Sequence, residues 1–178
     1  IASWVPQQIA EDAGVDSTAG VLEIGPGIGP LTQQLCLRAG KVVACELDER
    51  LKPILALTVG EFENLEIVWQ DVLKTDVKAL VAEKFAGLRP MACANLPYYI
   101  TSPILSALLE AECFDSVTVM VQKEVAQRIA AKPGTADYSA FTIFCNYYAE
   151  PEIFFDVPAH CFLPQPKVTS AVIQLKVR

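Results

Sequence analysis

Five short, nearly continuous apolar runs punctuate the chain: Val21-Leu22-Glu23-Ile24, Val42-Val43-Ala44-Cys45, Leu65-Glu66-Ile67-Val68-Trp69, Met91-Ala92-Cys93-Ala94 and Val117-Thr118-Val119-Met120-Val121. Runs of this length without polar alternation suit strands covered on both faces. Helical patterns over 31–39, 48–59, 76–85, 103–112 and 123–131 separate them. A βαβα order implies a mostly parallel sheet with right-handed crossovers and helices on both faces, an α/β Rossmann-like architecture. Local signals set the expected helix ends. Asp48 and Thr75 read as starts, Ser102-Pro103 as an N-cap followed by a first-turn proline, and Pro53 as a bend. Lys132-Pro133-Gly134-Thr135 reads as a break into a mobile loop.

Beyond the break the pattern changes. An aromatic-rich helix is expected around 138–148, then a strand at Glu152-Ile153-Phe154-Phe155, a proline-rich turn and a last strand, Ala171–Val177. Two strands with no helix between them should pair antiparallel, which makes a seven-stranded sheet with an antiparallel terminal strand. The 178 residues suit one domain spanning 1–178. No apolar run reaches the roughly 18–20 residues of a membrane span, and no export signal opens the chain, so a cytoplasmic protein is expected; a monomer is the expected state. The six cysteines, Cys36, Cys45, Cys93, Cys113, Cys145 and Cys161, are scattered through apolar segments and read as reduced, buried thiols. With no paired-cysteine motif and a single histidine, His160, no metal site is expected.

The first strand runs into Gly25-Pro26-Gly27-Ile28-Gly29-Pro30, a glycine-rich turn that opens a helix at the carboxyl end of the strand, where open α/β sheets bind ligands. Pro30 stands where a dinucleotide fingerprint needs its third glycine, which disfavours a nicotinamide or flavin enzyme. Gly25, Gly27 and Gly29 are therefore candidates for close backbone approach to an adenosyl ligand. Glu46, at the end of the second strand, can accept from two ribose hydroxyls. Asp71, at the end of the third, can accept from an adenine amine, with Val72 or Leu47 against the ring.

The fourth strand ends in Asn95-Leu96-Pro97-Tyr98. The exocyclic nitrogen of adenine is a poor nucleophile, because its lone pair is delocalised into the ring. Acceptors at the Asn95 side chain and the Leu96 carbonyl would favour its pyramidal form. Pro97 would stiffen the loop, and Tyr98 would offer a face on which an extruded base can stack.

These motifs, together with Gln122-Lys123-Glu124-Val125 and Phe162-Leu163-Pro164-Gln165-Pro166-Lys167-Val168, resemble the ribosomal RNA adenine N6,N6-dimethyltransferase family, and most of all its bacterial small-subunit branch. The resemblance implies a class I methyltransferase fold and S-adenosyl-L-methionine as methyl donor. It puts Gly25, Glu46, Asp71 and Asn95 at the cofactor, Asn95 and Tyr98 at the transfer site, and Phe162 by the other face of the base. Small-subunit ribosomal RNA, or the 30S precursor particle, is the implied partner. The family's Gln-Asn-Phe-Leu segment would precede Ile1 and its small helical RNA-binding domain would follow Arg178; this chain contains neither. The net charge of −7 opposes a nucleic-acid role unless such a separate basic element grips the phosphates. Alternative readings are methylation of DNA adenine or a glutamine amide, and a non-catalytic ribosome-assembly or transcription factor.

Overall fold

The structure, a computed structural model, describes residues 1–96 and 98–178, with Tyr98 described through its backbone alone. Seven strands, β1 (Ala19–Ile24), β2 (Lys41–Cys45), β3 (Leu65–Val68), β4 (Arg89–Asn95), β5 (Ser116–Gln122), β6 (Ala149–Val157) and β7 (Ser170–Val177), form one sheet in the order β3-β2-β1-β4-β5-β7-β6. Strands β1 to β5 are mutually parallel, and β7 runs antiparallel to both of its neighbours. This is the fold class read from the sequence. The last strand is inserted between β5 and β6, leaving β6 at the edge.

Burial explains the apolar runs. All six residues of β1 are buried, and consecutive residues serve opposite faces. Val21 and Val42 pack with α1 (Trp4–Asp12) and α2 (Pro30–Arg38) through Val5, Ile9, Leu31 and Leu35. Leu22 and Val43 pack on the other side with α4 (Val77–Lys84), α5 (Thr101–Glu110), α6 (Lys123–Ile129) and α7 (Ala140–Tyr148). Strand β1 contributes to both layers.

Several local expectations are corrected. Helix α1 was not anticipated, because Ser3 makes no side-chain cap bond and only the spacing of Val5, Ile9 and Ala13 marks the apolar side. Pro53 does not bend a long helix. A 3₁₀ turn, Glu49–Leu51, is followed by α3 (Lys52–Thr58), with Pro53 in the first turn, where its missing N–H costs nothing. Asp76 caps α4 by accepting from the Ala79 N–H; Thr75 instead donates to the Asp71 carbonyl at 2.7 Å. Helix α5 starts at Thr101, directly from a 3₁₀ turn at Tyr98–Ile100, so Ser102 is not its cap and Pro103 is its third residue. A chain that is already helical on entry needs no side-chain cap. Ser139 and Thr142 form a reciprocal capping box that delays α7 to Ala140.

Gly29 is required by packing. It precedes α2 at φ 99°, and a Cβ there would lie 3.0 Å from both Thr58 Oγ1 and Val59 Cγ1 at the end of α3. Gly29→Ala combines left-handed strain with overpacking and is expected to cost roughly 2–4 kcal/mol. Urea unfolding of the purified variant checks this; a wild-type midpoint would refute it.

Candidate active site

Parallel pairing delivers the ends of β1 to β5 to one edge, and the backbone ladder continues one residue past three of them. The Gly25 N–H donates to the Cys45 carbonyl at 2.9 Å, Glu46 to Val68 at 3.0 Å and Leu96 to Met120 at 3.2 Å. The residues at the start of each loop are thus held as firmly as the strands. Gly25 and Gly27 have φ of 68° and 60°, and a Cβ on either would meet nothing within 4 Å, so the turn's outer side is open to an approaching ligand.

The Glu46 carboxylate is oriented by two backbone donors, Asp48 N–H at 2.9 Å and, across the loop, Gly27 N–H at 3.4 Å. Asp71 caps the next turn by accepting from the Leu73 N–H at 2.9 Å. Both carboxylates border a cavity of about 450 Å³, together with Gly25, Gly27, Leu47, Val72, Asn95 and Leu96. A second cavity, of about 440 Å³, lies between the ends of β4 and β5 and the proline-rich turn, lined by Asn95, Leu96, Tyr99, Met120, Phe162, Pro164 and Pro166 among others. Asn95, Leu96 and Tyr99 border both. A narrower space of about 160 Å³ runs under the glycine turn past Glu23, Ile28 and Met120, and it too reaches Asn95.

The structure therefore brings Gly25, Gly27, Glu46, Asp71, Asn95 and Leu96 together at the first cavity, and it sets Phe162 on the second. Gly29 lines none of the three; its role in the turn is the contact with α3. Pro97 and the Tyr98 side chain lie outside the described residues. Arg50, Tyr99, Met120 and Glu23 border the cavities without having been singled out from the sequence. Of these only Glu23 left a signal, as the one charge inside the otherwise apolar first run.

Glu23 is 2% exposed and accepts a hydrogen bond from the Thr32 hydroxyl. Burial pushes its carboxyl up to about 8; the Thr32 bond opposes the rise and the Glu46 charge adds to it. Burial, followed by the proximity of Glu23, pushes the Cys93 and Cys36 thiols up to about 12. The turn carrying Phe162 is tied to the chain's start, where the Ala2 N–H donates to the Cys161 carbonyl at 2.7 Å.

Chemically, the first cavity offers two oriented carboxylates, open backbone at the glycine turn and apolar walls from Val72, Leu96 and Ile104. That set suits a flat, amine-bearing ring joined to a polyol: the carboxylates take the donors and the walls take the ring. The second cavity is walled mainly by apolar and aromatic side chains and shares its polar Asn95 with the first. Among the described residues, no group of three or more His, Cys, Asp or Glu could hold a metal ion, and no helix is long and apolar enough to cross a membrane.

A sheet ordered β3-β2-β1-β4-β5-β7-β6, with acidic residues in the loops after β2 and β3 and a glycine turn after β1, is that of the class I methyltransferases. Residues 3–178 match the family described as Ribosomal RNA adenine dimethylase. Ribosomal RNA small subunit methyltransferase A of Geobacillus thermodenitrificans is 52% identical over 174 residues, covering 97% of this chain and 59% of that protein. The protein of the same name from Alkaliphilus metalliredigens is 49% identical over 172 residues, covering 96% and 60%. Among solved structures, a dimethyladenosine transferase from Plasmodium falciparum superposes with a TM-score of 0.82 at 31% identity, covering 98% of this chain and 62% of that one. The 23S rRNA methyltransferase ErmE gives 0.80 at 32%, covering 98% and 68%. The chain belongs to the ribosomal RNA adenine dimethylase family, and it spans about three-fifths of the length of the curated relatives it matches.

The raised Glu23 pKa has a consequence for stability. Its stabilising contribution is full below pH 4.5, where both folded and unfolded chains hold the proton, and is lost as pH rises towards about 8, because only the unfolded chain ionises freely. Urea unfolding is expected to show wild-type stability falling by a few kcal/mol across that window, with Glu23→Gln, neutral throughout, flattening the decline. Parallel profiles for the two proteins would refute this assignment.

Proposed function

We propose that this chain is the S-adenosylmethionine-dependent catalytic domain of an adenine N6-methyltransferase acting on small-subunit ribosomal RNA, delivering two methyl groups to each target adenine in ribosome biogenesis. The observation that carries the proposal is the pair of cavities meeting at Asn95 and Leu96, one bordered by Glu46 and Asp71 and the other by Phe162, in a chain of this family.

On this reading Glu46 accepts from the ribose hydroxyls of the cofactor, and Asp71 from its adenine amine. Leu47 and Val72 flank the ring, and the Gly25-Pro26-Gly27 turn admits the amino-acid portion. Glu23 gives the narrow space one polar group on an otherwise mostly apolar wall. When bound, the cofactor supplies a methyl group made electrophilic by the adjoining sulfonium. The protein's own part is positioning and electrostatics. The Asn95 side-chain oxygen and the Leu96 carbonyl accept from the target amine and free its lone pair for attack. Leu96 is steadied by its N–H bond to the Met120 carbonyl. Pro97 restricts the loop, while Tyr98 and Phe162 stack on the extruded base. The alkylated amine is acidic and loses its proton to water, so no strong base is required.

The net −7 is unevenly spread along the chain. Residues 1–122 hold 16 acidic and 8 basic side chains, whereas residues 123–178, which supply Phe162 and the proline walls of the second cavity, hold 5 acidic and 6 basic. The acidic excess thus belongs to the part of the chain that includes Glu46 and Asp71. In this proposal the protein works as a cytoplasmic monomer on ribosomal RNA or the 30S precursor particle. A helical domain of the kind the longer relatives have room for grips the phosphates.

Glu46→Ala removes a charged acceptor and is expected to weaken binding of S-adenosylhomocysteine, measured by calorimetry, by about 1.5–3 kcal/mol. Asn95→Ala is expected to abolish most single-turnover methylation of small-subunit ribosomal RNA at saturating cofactor, since its contact with the amine strengthens in the transition state. Mass spectrometry of the RNA reads the product. Full-rate transfer by the Asn95 variant, or no methylated adenine from the wild type, would overturn the proposal.

A further inference from the structure

Tyr99 has no role in the account above, yet it stands where that account needs a wall. It lies in the 3₁₀ turn between β4 and α5, and its side chain borders both large cavities, a position shared only with Asn95 and Leu96 among the described residues. It is 85% exposed, more than any other described aromatic residue. No ring contact or hydrogen bond among the described residues holds it. A large ring kept at the junction of two ligand-sized spaces, with no ring or hydrogen-bond partner among the described residues, gains its packing from whatever fills them.

We propose that Tyr99 is a shared contact for the cofactor and the target base: its ring forms the wall between the two cavities and couples their occupancy. The inference rests on the methyltransferase reading and extends it to a residue that the reading does not use. A ligand in the first cavity removes one side of the ring from water and restricts its rotation. The ring then presents a settled face to a base entering the second cavity. By linkage the effect is reciprocal: each ligand tightens binding of the other by the same factor. The hydroxyl has no partner in this scheme, so the aromatic face alone carries the contact.

Calorimetry on the whole chain tests this, with S-adenosylhomocysteine and a tetra-adenylate RNA as probes, each titrated alone and with the other saturating. For the wild type, each probe is expected to bind several-fold more tightly when the other is present. Tyr99→Ala should weaken tetra-adenylate about tenfold in the presence of S-adenosylhomocysteine and reduce the coupling factor to about one, while Tyr99→Phe retains both affinity and coupling. Because the side chain is exposed, both variants should melt at the wild-type temperature, which separates lost contact from lost fold. Wild-type affinities and coupling in Tyr99→Ala would overturn the inference and leave the methyltransferase reading standing, as would loss of coupling in Tyr99→Phe equal to that in Tyr99→Ala. A wild-type chain that binds no S-adenosylhomocysteine would overturn the reading itself, and this inference with it.

Discussion

In a parallel sheet every strand ends at the same edge, and here the interstrand hydrogen bonds run one residue beyond the strands themselves. The bonds from Gly25, Glu46 and Leu96 to the carbonyls of Cys45, Val68 and Met120 pin the first residue of three loops to a neighbouring strand. The candidate site depends on those bonds. Asn95 stands next to a pinned residue, Glu46 is one, and the glycine turn starts from another. Loops that leave from fixed points need few further contacts to hold their side chains in register, so short loops suffice. The central position of β1, with β2 on one side and β4 on the other, opens the crevice between the glycine turn and Asn95.

The same burial that makes the sheet rigid governs the chemistry of the groups within it. Glu23 lies inside the core at the end of the most buried strand, and it faces the narrow space under the glycine turn. A carboxyl kept there against its desolvation cost is a feature of the site, since an apolar residue would serve the core better. The cysteines show the opposite case. All six are free thiols, and burial pushes Cys45, which borders the first cavity, up to about 11. A thiol held neutral at that position contributes an apolar surface and no nucleophile.

The two cavities differ in character. The first is framed by two carboxylates in the loops that follow β2 and β3, Glu46 and Asp71. The second is framed by Met120 and Val121 from β5 and by Phe162 and prolines from the turn before β7, with no charged side chain in its lining among the described residues. An acidic frame favours neutral or cationic ligands rich in donors, and an apolar frame favours a flat base stripped of water. The inserted antiparallel strand β7 connects these properties to the fold. Its start follows the proline-rich turn directly, so pairing with β5 brings Phe162 beside Met120.

The periodicity of the sequence by itself determined the seven strands, their mostly parallel pairing and the presence of helices on both faces, because short doubly buried strands and crossover helices leave few alternatives. It also determined Glu46, Asp71 and Asn95 as a set, since residues at successive strand ends must meet at one edge. Tertiary structure alone decided what depends on contacts distant in the chain. Gly29 reads as part of the ligand turn, and only the fold shows that its missing side chain also makes room for Thr58 and Val59. Thr75 looked like a cap, but its hydroxyl is drawn to the Asp71 carbonyl. Helix α1 carried no cap signal and took its place through packing on α2. Tyr99 was one aromatic in a row of two until the fold set it between two cavities. Spacing along a chain records which face a residue occupies, whereas what stands opposite that face depends on elements many residues away.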